Sequence, residues 1–263
     1  MNSILEIFSS SIGRKLIMSL TGLFLCTFLI VHAAGNIQLF NDDYGLSFNQ
    51  YSVFMTTFTP IKIVSYLLYA SILLHAINSL FITLANRKAR QTGYGAKKDP
   101  RSSSWASKNM GILGTILLIF LITHMANFWY KYKFGEVPWV EYTVDVNTGV
   151  PIGEPLVVTG SDLVPHEYLT TDESGSGMKK VVIRDLYIVV SKAFKQPMLV
   201  VLYLLGLIAL AYHLVHGFQS AFQTMGIRHK SYTGIIRGIG IWVFGIIIPL
   251  VFAAMPVYFY LTK

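Results

Sequence analysis

Charge disappears from this chain for long stretches. Between Lys15 and Asp42 there is no Asp, Glu, Lys or Arg, and that run exceeds the roughly 20 apolar residues a helix needs to cross a bilayer. Four later runs repeat the pattern. Together they predict five membrane-crossing helices over about 14–40, 61–86, 109–131, 197–224 and 235–260. Pro60 and Pro197 suit helix starts. The aromatic group Phe128, Trp129, Tyr130 and Tyr132, and the pair Tyr258 and Tyr260, suit a membrane–water interface. Residues 1–12 predict an amphipathic lead-in, with Ile4, Leu5, Ile7 and Phe8 as its apolar contacts. Residues 41–59 read as a short polar and aromatic loop, and 225–231 as a basic link.

Composition agrees with the pattern. Of the 263 residues, 53% are hydrophobic and only 13% charged, against about 25% charged in a soluble domain. The net charge of +8 does not indicate nucleic acid, because the basic residues lie beside apolar runs, where topology signals lie. The lone cysteine, Cys26, excludes an internal disulfide framework and reads as a small packing residue. The apolar core of residues 1–35 is too long for a secretory signal.

Residues 132–194 differ from the rest. They hold nine of the thirteen acidic residues. VEYTVDV, EPLVVTG and KKVVIRDLYIVV are β-like runs, separated by turn signals at Asn147-Thr148-Gly149 and Ser174-Gly175-Ser176-Gly177. This predicts a small hairpin or cap outside the membrane, within one domain spanning 1–263. Arg14, Lys15, the basic loop 87–108 and the 225–237 link fall on one side. The 41–59 loop and the acidic segment fall on the other. The positive-inside rule then places the N-terminus in the cytoplasm and the C-terminus on the periplasmic or outer side of the inner membrane. Lys179, Lys180, Arg184, Lys192 and Lys195 count against this, but long loops translocate regardless of charge.

Five of the seven histidines interrupt the apolar runs: His32, His75, His124, His213 and His216. His166 and His229 read as surface residues. An ionisable group inside a membrane helix is costly and marks function by default. At about 1.5 Å per residue, His32 lies roughly 6–9 Å to the outer side of its helix midpoint and His124 about 6 Å. On the inner side His75 lies about 2 Å from its midpoint, His213 about 4 Å and His216 about 8 Å. An outer pair, His32 and His124, therefore stands apart from an inner pair, His75 with His213 or His216. Each pair comes from two helices, as axial ligation of a haem by two imidazoles requires. Gly35, Ala33, Ala34, Ala76, Ala126 and Gly217 are small neighbours that let a flat ring enter. Zinc fits less well, since its sites recruit three or four clustered ligands. No Cys-x-x-Cys-His is present, so the haems would be b-type.

Further polar residues are candidate contacts. The second of the pair His213 and His216 is free to meet a haem propionate or a quinone oxygen, and depth leans towards His213 as the ligand. Ser10, Ser11, Arg14 and Lys15 lie at the inner end of the first helix, as propionate contacts, a partner surface or interface anchors. Asn36, Gln38 and Asn78 are candidates for a haem edge or quinone. No Walker or dinucleotide-binding fingerprint occurs.

SSIGRKLIMSLTGLFLCTFLIVHAAGN, the His75 and His124 helices, and YHLVHGFQSAFQTMG resemble the di-haem cytochrome b558-type membrane anchor of succinate dehydrogenases and fumarate reductases. The resemblance covers nearly the whole chain, with 132–194 least typical and longer than the corresponding loop. It implies five transmembrane helices and two haem b groups. His32 and His124 would hold the distal haem. His75 and His213 would hold the proximal one, nearest the dehydrogenase; the spacing of His213 from Gly226 matches the family. It further implies a flavoprotein and an iron–sulfur subunit on the cytoplasmic side, with menaquinone as the quinone. Some relatives carry glutamates linked to transmembrane proton transfer. This chain has none within a span, which puts such a route in doubt.

The expected protein is thus an all-α, five-helix anchor holding two haems. It passes electrons between an iron–sulfur subunit and quinone and carries no succinate-oxidising site of its own. Two other classes remain open: a di-haem anchor of another membrane dehydrogenase, and a haem-free transporter or structural anchor whose histidines handle protons.

Overall fold

The computed structural model describes residues 10–89, 104–160, 163–171, 175, 177–227 and 229–262. The lead-in at Ile4–Phe8, most of the basic loop (Arg90, Lys97, Lys98 and Arg101 among it) and Arg228 lie outside the described residues.

Five helices are long and apolar enough to cross a membrane: Ser11–Phe40, Thr59–Ala89, Trp105–Phe134, Pro197–Thr224 and Lys230–Thr262. This architecture is compatible with a multi-pass membrane protein. The first comprises α1 (Ser11–Asn36) and a 3₁₀ turn, Ile37–Phe40. It starts three residues earlier than the apolar run because Ser10 Oγ accepts from the Gly13 amide at 3.0 Å, a serine N-cap that satisfies an otherwise orphaned donor. The second span is α3 (Thr59–Ala89), with Pro60 in its first turn and Arg87 and Lys88 in its last. The third is α4 (Trp105–His124), a π-helical turn (Met125–Tyr130) and α5 (Lys131–Phe134). The fourth is α7 (Pro197–Thr224). The fifth is α8 (Lys230–Ile239), a second π-helical segment (Gly240–Ile247) and α9 (Ile248–Thr262). His229 is the N-cap of α8, its Nδ1 accepting from the Ser231 amide at 3.2 Å. On α3, Tyr66, Leu67, Leu73, Leu74 and Ile77 are exposed. Large apolar side chains left uncovered to this extent suit hydrocarbon as their solvent.

The chain forms two compact units. One contains Met1–Val31, Ser65–Leu121 and Val201–Ala254; the other His32–Val64, Ile122–Val200 and Met255–Lys263. In the first, the buried core is Cys26, Leu214, Phe218, Phe244 and Ile248, with Leu23, Leu210 and Phe252 packed on it. Cys26 is a buried member of that core, as its place in an apolar run suggests.

The second unit departs from expectation in two places. The 41–59 stretch is no loop: α2 (Leu46–Thr57) occupies most of it. Asp43 caps that helix, its carboxylate accepting from the Gly45 amide at 3.0 Å and the Ser47 amide at 2.9 Å. The 132–194 stretch is more than a hairpin. β1 (Trp139–Asp145), β2 (Leu156–Val158), β3 (His166–Thr171) and β4 (Gly177–Arg184) form an antiparallel sheet in the order β2-β1-β4-β3. One face is apolar: Val140, Tyr142, Val144, Val181 and Ile183 pack on Leu46 and Val53 of α2. The other face carries a polar ladder. Lys180 pairs with Glu141 at 2.9 Å and donates to Thr143 Oγ1 at 2.8 Å, and the Tyr168 hydroxyl donates to Glu141 at 2.8 Å. This is the alternation of a sheet with one covered and one wet face. The Asn147-Thr148-Gly149 turn forms as its residues predict, with the Asp145 carboxylate accepting from both the Asn147 and Thr148 amides.

The run KKVVIRDLYIVV is strand only in its first half. Asp185 breaks it, capping α6 (Leu186–Phe194) by accepting from the Ile188 amide at 3.1 Å. The Asp185 carboxyl is itself buried, and burial holds its pKa above the usual carboxylate value against the opposing hydrogen bonds from Asn49 and Ile188. A raised folded pKa means the folded state holds this proton more tightly than the unfolded chain. Its contribution to stability is therefore full below about pH 4, the free-carboxyl value, and is lost as pH rises through the folded pKa. Asp185→Asn keeps an acceptor for the cap and removes the titration. Thermal unfolding of the sheet unit in detergent should depend less on pH between 4 and 7 in this variant, and matching slopes in the two proteins would refute the assignment.

Candidate functional site

In the first unit the structure brings His75 of α3 against His213 of α7. Their ring centres are 6.2 Å apart, with the planes at 58°. Thr21 Oγ1 of α1 lies 3.0 Å from His75 Nδ1. A Cβ at Gly22 would stand 3.3 Å from His75 Cε1, a tight contact that would press the ring by a few tenths of an ångström. His213 Nδ1 is buried with no hydrogen-bond partner among the described residues. His216 follows one turn later on α7, half-buried.

In the second unit His32 of α1 meets His124, the last residue of α4. Their ring centres are 5.8 Å apart and their planes nearly perpendicular, at 85°. His124 stacks edge-on against Phe128, which in turn meets Phe194 of α6. Gly35, three residues after His32, faces Tyr51 of α2. A Cβ there would fall 2.3 Å from the tyrosine ring, so any larger residue must push that ring away. The π-helical turn begins at the residue following His124. Such wide turns recur where a helix carries a functional group.

Each pair thus joins two helices: His32 lies against His124, and of the two candidates His213 and His216 it is His213 whose ring lies against His75. Among the described residues no three His, Cys, Asp or Glu side chains are grouped to hold one metal ion. An imidazole nitrogen sits about 2 Å from a bound metal, with its ring centre about 1 Å further back. Two rings gripping one iron from opposite faces therefore stand roughly 6 Å apart, centre to centre. The separations of 5.8 and 6.2 Å between ring centres are of that size. The donor set, neutral imidazoles among apolar walls, suits haem iron better than a harder cation.

The other candidates are placed less tellingly. Arg14 lays its guanidinium over the Phe81 ring, 5.3 Å from its centre, and its carbonyl accepts from Asn78 Nδ2 at 2.6 Å. Ser11 is exposed. Asn36 donates to the His32 carbonyl at 2.7 Å, with the same nitrogen 3.4 Å from His32 Nδ1. It therefore steadies the turn that carries His32. Sequence reasoning passed over Thr21 and Gly22. Their signal was there: a Thr-Gly pair inside an apolar helix, with no turn for it to make.

Comparison of the chain with family models, with curated proteins and with solved structures returned no match.

Proposed function

We propose that this chain is the membrane-anchor cytochrome b subunit of a succinate:quinone oxidoreductase, working as a succinate dehydrogenase or fumarate reductase. The observation that carries the haem reading is the double pairing: His75 with His213 and His32 with His124, each at the spacing of two axial ligands on one iron. His216 lies outside that pairing and is available to a propionate or quinone oxygen. The assignment to succinate and quinone chemistry rests on the resemblance of residues 10–36 and 212–226 to that family's anchors.

Two haem b groups held there would accept and release single electrons between iron–sulfur centres and menaquinone. What the chain's own residues do is hold and insulate. Four helices each present one imidazole, and the apolar side chains around them exclude water, so that the environment and not solvent sets the iron's preference between its oxidation states. A flavoprotein and an iron–sulfur subunit dock on the cytoplasmic side, near the His75 end, where basic residues of the 87–108 loop give charge complementarity that steers association. The N-terminus is cytoplasmic and the C-terminus lies across the membrane.

The test is spectroscopic and compositional. Chain purified in mild detergent should contain two b haems, with a reduced α-band typical of bis-imidazole haem b, and should bring a flavoprotein and an iron–sulfur protein with it. A haem-free preparation that still folds would leave a proton-handling transporter or structural anchor in place of this reading. Two haems with a different set of partners would make the chain the anchor of another dehydrogenase.

A further inference from the structure

We propose that Thr21 is a positioning residue for His75, fixing the imidazole tautomer so that Nε2 is the nitrogen offered to the inner iron. The inference rests on the haem reading above and adds a residue to it.

A threonine hydroxyl has one proton to donate and two lone pairs to accept with. Thr21 Oγ1 lies 2.7 Å from the Ile17 carbonyl, one turn back on α1, and 3.3 Å from that of Met18. Carbonyls only accept, so the hydroxyl proton is committed to its own helix. Oγ1 also lies 3.0 Å from His75 Nδ1. With its proton committed, it meets that nitrogen as an acceptor, and His75 donates an Nδ1–H. The neutral ring then carries its only proton on Nδ1 and leaves Nε2 bare, which is the form a metal requires.

Two neighbouring features hold the arrangement in place. Gly22 removes the side chain that would press on His75 Cε1. Asn78, one turn after His75 on α3, donates to the Arg14 carbonyl at 2.6 Å, a second bond from α3 to α1. Thr21 is therefore held within hydrogen-bond reach of the ring. An acceptor on the far nitrogen also makes the ligand more electron-rich, and such outer partners typically change metal affinity about 10–100-fold. An electron-rich ligand favours ferric over ferrous iron, so the bond should lower the potential of the inner haem.

The test compares Thr21→Val, which keeps the shape and removes the acceptor, with Thr21→Ser, which keeps it. Both are made in the complex as purified with its partner subunits and titrated spectro-electrochemically. Thr21→Val is expected to weaken the ferric-over-ferrous preference of the inner haem by up to about tenfold, a rise of about 59 mV for a one-electron couple, with its α-band altered. Loss of the inner haem from this variant alone is the stronger form of the same result. Thr21→Ser should return both towards wild type, and the outer haem should be unmoved in all three proteins, which also reports that the variants have folded. If wild type carries two haems and Thr21→Val leaves the inner potential and band unchanged, the positioning role is wrong while the haem reading stands. If wild type carries none, both are wrong.

Discussion

Replacing His213 with alanine should leave one haem per chain instead of two, while replacing His216 should leave both. The difference follows from which ring lies against His75: that of His213, with centres 6.2 Å apart. His75→Ala should give the same loss as His213→Ala. His32→Ala and His124→Ala should remove the other haem and spare this one, because their rings meet each other at 5.8 Å. A b haem has no covalent link to the chain and depends on its two axial bonds. Deleting one imidazole takes away half of that coordination and leaves an apolar gap that does not supply another ligand. Haem-to-protein stoichiometry, with the reduced spectrum resolved into its two bands, reads the outcome directly. Retention of two haems in His213→Ala together with loss in His216→Ala would overturn the inner assignment.

The second large effect concerns stability. Asn49 is fully buried, and its side chain bonds three ways. Nδ2 donates to the Tyr142 hydroxyl at 3.0 Å and to Asp185 Oδ1 at 2.8 Å, and Oδ1 accepts from the Tyr187 amide at 2.9 Å. Tyr142, also fully buried, passes its proton on to the Tyr44 carbonyl at 3.1 Å. One side chain thus ties α2 to β1 and to the start of α6. Asn49→Ala takes one of two donors from the buried Asp185 carboxyl, which keeps the Ile188 amide, and removes the acceptor of the part-buried Tyr187 amide. Each such loss costs about 1–3 kcal/mol, so the variant should lose about 2–6 kcal/mol. Hydrogen exchange at the β1 and β4 amides should accelerate by roughly thirtyfold or more. Exchange within a few-fold of wild type would show that water or a neighbour takes over the bonds of Asn49.

The apolar runs alone located all five long helices, and the main errors at their ends have local causes such as the Ser10 cap. The histidine pairs were legible for a related reason. A helix of known rise converts residue number into depth, and depth sorts five side chains into two levels, with His213 and His216 left together as partners for His75 until the ring contact separates them. What sequence could not supply was pairing across distance. β1 and β4 are separated by more than thirty residues, yet Trp139 pairs with Arg184 and Asp145 with Met178. No local turn signal announces such a partnership, so the sheet was read as a hairpin. The α2 helix was missed because Leu46–Thr57 mixes aromatic, β-branched and polar residues with little sidedness. Its place is set by packing on the sheet and by the Asn49 bonds. Asp185 did carry a signal, a lone acid splitting an apolar β-like run, which is how a helix N-cap looks.

The π-helical turn after His124 has a consequence for how this protein can change. A turn of that width holds one residue more than an α-helical turn, as though a single amino acid had been inserted into an ordinary helix. Deleting one residue of Met125–Tyr130 would let the backbone close into regular α-helix with its hydrogen-bond ladder whole. The wide turn already absorbs the extra residue, so the segment after it, Lys131–Phe134, would keep its direction and only draw closer by about 1.5 Å. His124 would keep its place on the preceding turns. A change of one residue in length is thus absorbed within this turn, and the histidine before it and the strand after it keep their faces.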